Sequence, residues 1–242
     1  MKKIIIICTR ELQTFFDSLI AYILLVAFLG FSGFFTWLYG NGDVFFVGQA
    51  SLQSFFGIAY WTLFFFIPAL TMKMIAEETK TGTIELLLTK AISDWQVVLG
   101  KFFACLSLII IALAFTIPYY ITVANIGQVD HGSVICGYFG LILMSATYIS
   151  IGIFTSSITN NQIVAFLLAL FTGMFFHIIF GVIAGVFSGV VGEVFYSLSL
   201  QSHYDSISRG VIDSKDIIYF LSIIFIGLLL AEFSLSKRNL KD

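Results

Sequence analysis

Residues 102–123 read FFACLSLIIIALAFTIPYYITV, directly behind Lys101. The run passes 22 residues without a charged side chain. A helix of that length rises about 33 Å, enough to cross the roughly 30 Å hydrocarbon core of a bilayer. The run is continuous and does not alternate, so it is not a strand of a transmembrane barrel. Five more runs share this character: residues 20–39, 55–72, 134–154, 163–182 and 217–235. Hydrophobic residues make up 59% of the 242, charged ones 11%, and the mean hydropathy is +1.02. A soluble domain is about half apolar and about one quarter charged. These numbers exclude a soluble domain and a disordered chain. Three scattered cysteines exclude a disulfide scaffold. The fold class is therefore an all-α integral membrane protein with six transmembrane helices. A net charge of −2 offers no basic surface for nucleic acid.

Ahead of the first span, Lys2 and Lys3 precede Ile4 to Ile7, and the apolar run stops at Cys8. That is too short for the core of a signal peptide. Leu12, Phe15, Phe16 and Leu19 then recur at helical spacing, with Arg10, Gln13, Thr14 and Asp17 between them. The pattern predicts an amphipathic helix lying at the membrane interface.

Lys and Arg mark the cytoplasmic side of a membrane protein. With both termini inside, ten of the twelve basic residues are cytoplasmic, and only Arg209 and Lys215 lie outside. Between Ile163 and Leu200 the only ionisable side chains besides Tyr196 are His177 and Glu193. That stretch is too long for one span and barely enough for two. Gly181, Gly185, Gly189 and Gly192 favour close helix approach and interrupt a long helix. The reading favoured over a seventh span ends span five near Val182 and follows it with short re-entrant helices on the outer side.

Ser93 to Gln96 and Thr159 to Gln162 have capping-box spacing ahead of spans three and five. Asp213 or Ser214 can cap span six. Pro68 and Pro118 fall within spans, where each frees a carbonyl and favours a kink. Packing tolerance and a gating role are both open for them.

Catalytic motifs are missing. Gly100-Lys101-Phe102 lacks the leading glycine and the Ser/Thr of a phosphate-binding loop. His131, His177 and His203 have no metal-ligand spacing. The chain reads as non-catalytic, with no cofactor of its own. His177 reads first as a neutral packing residue and second as a substrate contact. Glu193 reads equally as a gate residue or a headgroup neighbour. Residues 205–213 read equally as an outer helix capped by Ser206, with Arg209 on it, or as an ordinary capped surface loop.

The segment from Lys73 to Lys101 is the most informative loop. Thr83 can cap a helix in which Ile84, Leu87, Leu88 and Ala91 share one face. A helix of about eight residues is marginal in water, so it must dock on its own bundle or on a partner.

Glu77-Glu78, Thr81-Gly82-Thr83-Ile84-Glu85-Leu86-Leu87-Leu88-Thr89 and Val97-Val98-Leu99-Gly100-Lys101-Phe102 resemble the signature loop of the ABC-2 type permeases. The resemblance covers essentially the whole chain, 1–242, as a single transmembrane permease domain. Ala91 stands where that family often has Pro. The resemblance implies that this loop is a coupling helix seated on a separate ABC ATP-binding subunit, which holds ATP and Mg. It implies ATPase contacts at Glu77, Glu78, Gly82, Thr83 and Glu85, and a gate or pathway including Pro68, His177, Glu193, Ser206 and Arg209. It further implies a second permease copy or a sister permease, and export as the usual direction.

Residues 202–213, leading into Tyr219 to Ser222, together with Arg10-Glu11 and Phe16-Asp17-Ser18, are similar to the gliding-motility-associated ABC permeases of the GldF group. That similarity implies a bacterial inner (plasma) membrane, a GldA-like ATPase and a GldG-like auxiliary membrane protein. The alternative is a membrane anchor of a motility or secretion complex that moves nothing. ATPase activity that is unchanged when this chain is absent would favour the anchor.

Overall fold

Helices account for all the regular structure among the described residues, 2–38, 50–83 and 92–238, of the computed structural model. In chain order they are α1 (Lys2–Asp17), α2 (Leu19–Trp37), α3 (Gln53–Thr71), α4 (Ala76–Thr81), α5 (Asp94–Ala114), α6 (Ile117–Ile126) and α7 (His131–Ser157). Then follow α8 (Gln162–Met174), a π-helical turn (Phe175–Ile179), α9 (Phe180–Val186), α10 (Val190–Leu198), α11 (Leu200–Ser208) and α12 (Ser214–Arg238). Among the described residues, six segments are long and apolar enough to cross a membrane: α2, α3 with α4, α5 with α6, α7, α8 through α9, and α12. Ile218, Leu221, Phe225 and Phe233 on α12 are exposed, as are Ile163, Leu167 and Phe171 on α8. Large apolar faces of this kind need lipid, not water, around them.

The centre of the bundle is α7, which packs against α12, α3, α8, α11 and α5. Its buried residues include Gly137, Gly140, Ser145, Ala146, Ser150 and Gly152. Apolar burial gives little drive between helices in lipid, so small residues that allow close approach and good packing fix the contacts. Phe28, Phe55, Phe56, Phe64 and Tyr148 fill the spaces left between the backbones.

Helix starts follow local chemistry. Ser93 Oγ accepts from Gln96 N while Gln96 Oε1 accepts from Ser93 N, completing the capping box of α5. Asp130 caps α7 through Gly132 N at 3.0 Å. The box expected at Thr159 shifts: Asn161, in extended backbone, is the cap of α8 and accepts from Ile163 N at 2.9 Å. The two prolines behave differently. Near Pro118 the helix breaks at Phe115–Thr116, and Thr116 Oγ1 donates to Leu113 O at 2.6 Å. By contrast α3 runs through Pro68 without interruption.

After α9 the chain turns at Gly189, whose φ of +74° favours glycine. It then doubles back in α10 and α11. At nine residues each, these are about 14 Å long and too short to span a bilayer. The helix expected over residues 205–213 is instead Leu200–Ser208. Gly210 at φ +93° follows its end, and Ser206 lies inside the helix, not at its cap.

Candidate functional site

Lys101 sits in the second turn of α5 and is 1% exposed. An ammonium group in that position must be paired, because desolvating an isolated charge costs many kcal/mol. Its Nζ lies 2.8 Å from Glu78 Oε1 on α4 and 3.2 Å from Glu11 Oε1 on α1. Arg10 bonds Glu11 and approaches Glu78 Oε1 at 3.6 Å. Two cations and two carboxylates therefore form a balanced cluster joining α1, α4 and α5. Burial works to raise the pKa of Glu11. Lys101 and Arg10 outweigh that effect and hold its carboxyl below the ordinary range.

The start of α4 is held from a different direction. Ser156 Oγ, near the end of α7, accepts from both Ile75 N and Ala76 N at 3.0 Å. It donates to Met72 O at 3.0 Å. A six-residue helix cannot hold itself together, and Ile75, its N-terminal flank, supplies no side-chain cap. A serine some 80 residues away in sequence takes that role.

At its far end α4 closes on Gly82, whose φ is +72° and whose N–H bonds Thr79 O at 3.3 Å. That left-handed cap favours glycine. Thr81 Oγ1 donates to Glu77 O at 2.9 Å and lies 3.0 Å from Thr83 Oγ1. Thr83 is thus turned back toward α4. Glu85 and the predicted amphipathic helix from Ile84 to Ala91 lie outside the described residues.

Among the expected contact residues, Glu77, Gly82 and Thr83 are exposed on one short surface. Glu78 is half-buried and engaged inside the chain. A polar cleft of about 590 Å³ opens beside this surface, lined by Lys80 and by Thr159 to Ile163.

The residues expected at a gate or pathway are not brought together. Pro68 is buried in α3. His177 is fully buried in the π turn, with Nδ1 2.6 Å from Tyr148 Oη. Its ring stacks on Tyr60 at 4.2 Å and on Phe64 at 4.6 Å. Glu193 is exposed at a cleft of about 520 Å³ beside Gly181, Gly185 and Gly192. Arg209 is exposed, with Nε donating to Asp205 O at 3.0 Å, and Ser206 is half-buried. The sequence reading named Arg10 and Glu11 only within a resemblance and did not bring them to Lys101, and it missed Ser156. A lysine at the head of an unbroken apolar run was the one available signal for the cluster.

The profile described as ABC-2 family transporter protein matches residues 46–231. The chain belongs to this family. No curated protein matches the sequence. Membership of the ABC-2 family makes the chain a permease subunit of an ABC transporter, a multi-pass membrane component and not itself the catalyst. ABC-2 permeases generally partner with an ABC ATP-binding subunit.

Proposed function

We propose that this permease couples ATP hydrolysis on a separate subunit to export, and that the surface of Glu77, Gly82, Thr83 and Glu85 meets that subunit. The observation that carries the reading is the anchoring of α4. Buried ions fix it to α1 and α5, Ser156 fixes it to α7, and its exposed end leads into the amphipathic segment. A push at that end reaches several helices at once. In this reading α1 is the interfacial helix, residues 84–91 form the coupling helix, and both termini are cytoplasmic in a bacterial inner membrane. Residues 202–213 leading into Tyr219 to Ser222, together with Arg10-Glu11 and Phe16-Asp17-Ser18, support kinship with the gliding-motility GldF group. The partners are then a GldA-like ATPase carrying ATP and Mg, a second permease copy or sister permease, and a GldG-like auxiliary protein. The short helices α10 and α11 serve as re-entrant elements on the outer side, and Glu193, Ser206, Arg209, His177 and Pro68 remain the gate or pathway residues of this reading.

Two measurements test this. The double variant Glu77→Arg with Glu85→Arg should insert and fold normally, yet lose at least tenfold of the permease-dependent ATPase activity and most co-purification with the ATPase. Unchanged coupling in that variant would overturn the contact assignment. For orientation, Arg209→Cys is the informative site, because Ser208 is 6% exposed while Arg209 is open. An impermeant thiol reagent should label it from the outer side of intact cells; labelling only from the cytoplasmic side would refute the topology.

A further inference from the structure

Helices α2 and α3 pack side by side, and one edge of their seam stays open. Ile20, Leu24 and Ala27 fall at i, i+4 and i+7 on α2 and so share a face. Phe66, Ala69 and Leu70 of α3 form the other wall. Between them runs a groove of about 200 Å³ in which every lining side chain is apolar. Both walls belong to segments that are long and apolar enough to cross a membrane. Ile23 and Val26, on the same turns of α2, are exposed. What reaches this seam is therefore the bilayer, and an unfilled groove forfeits the dispersion contacts of both walls.

A cation stands at one end of it. Lys73 follows Phe66 and Leu70 at i+7 and i+3, where the chain continues in helical turns: Met72 is right-handed and Glu77 N bonds Lys73 O at 3.3 Å. Lys73 Nζ lies 5.8 Å from the centroid of the Phe15 ring. Phe15 is in the last turn of α1, five residues before Ile20. The continuations of both walls thus meet at Lys73, on the side of the groove that carries α1. The lysine is half-buried, and it makes no ion pair among the described residues. Glu77 and Glu11 act on it only from beyond pairing distance, and Glu11 is already engaged by Lys101 and Arg10. A lysine stem along apolar surface with its ammonium at the membrane boundary is suited to a lipid phosphate.

We propose that the α2–α3 groove binds one phospholipid with an anionic headgroup, an acyl chain lying between the two walls and the headgroup meeting Lys73. Apolar walls and a cation at one end match the two parts of such a lipid. A helix from a second copy, about 10 Å across, is too wide to enter a groove of this volume. The assignment does not depend on which side of the membrane α1 occupies, nor on what the permease moves.

The test is native mass spectrometry of the full chain in detergent, titrated with phosphatidylglycerol and with phosphatidylcholine of identical acyl chains. Wild type should take up one phosphatidylglycerol about fivefold more tightly than phosphatidylcholine, the order of effect of one lysine on an anionic lipid. Lys73→Gln should weaken phosphatidylglycerol to the level of phosphatidylcholine, and Lys73→Arg should keep the preference. The double variant Ala27→Phe with Ala69→Phe fills the groove and should lose the first adduct of either lipid. Equal binding of the two lipids by wild type overturns the proposal, whether or not the filled variant folds. So does a preference that survives in Lys73→Gln. A filled variant that keeps its lipid but loses self-association would give the groove to a second copy and overturn it as well.

Discussion

Lys101→Met is expected to cost about 3–5 kcal/mol, because it leaves the carboxylates of Glu11 and Glu78 near each other in a site with little water. A melting point lower by on the order of 10 °C in detergent or nanodiscs should report it. Arg10 cannot replace the missing charge, since it lies on the rim with nearly half its side chain exposed. The triple variant Lys101→Met, Glu11→Gln, Glu78→Gln should recover most of the loss, because replacing the buried ions with neutral groups is often close to neutral and the Arg10 left over is nearly half exposed. A Lys101→Met protein that melts with the wild type would show that the cluster is open to water. The triple variant also separates two roles. If the ions only stabilise, its ATPase coupling returns with its stability. If they transmit force between α1, α4 and α5, coupling stays low in a folded protein.

Ser156→Ala should act more locally. It removes one hydroxyl and leaves Ile75 N, Ala76 N and Met72 O without partners. Ile75 and Ala76 are completely buried, so water cannot compensate. Each orphaned buried group costs about 1–3 kcal/mol, and relaxation of so short a helix recovers part of it. A net loss of about 2–4 kcal/mol in the docking of α4 is expected, which raises amide exchange across residues 72–83 by on the order of 100-fold. Ser157→Ala is the control. Its hydroxyl makes one bond, to Phe154 O at 2.7 Å within its own helix, and exchange there should barely change. Equal exchange in the two variants would remove Ser156 as the anchor of α4.

The helix caps show where sequence reading works and where it stops. Ser93 and Gln96 cap α5 as their spacing demands, because donor and acceptor lie within one turn. At Thr159 the same pattern was two residues early, since Asn161 lies in extended backbone and accepts from Ile163 N at 2.9 Å. The helix expected over 205–213 failed for a related reason. Ser206 has the chemistry of a cap, but Tyr204 and Ile207 are buried against the bundle and fix α11 over Leu200–Ser208 instead. Local rules describe a short helix correctly only when nothing distant competes for its residues. Glu78 makes the same point for the candidate site: its place beside Glu77 in an acidic loop gave no sign that it faces inward to Lys101.

By itself the sequence determined the membrane-spanning class, the six apolar segments and the absence of an ATP-binding motif. A bilayer acts as a solvent of fixed thickness, so each run of about twenty apolar residues carries its own answer. Tertiary structure alone decided which polar groups meet. Lys101 finds Glu11 90 residues away and Glu78 23 residues away. Ser156 reaches the start of α4 across some 80 residues, and His203 Nδ1 lies 2.6 Å from Asp216 Oδ1 on another helix. Those pairings depend on how close neighbouring backbones come, to within a hydrogen bond's length. The periodicity of a single helix does not encode that distance.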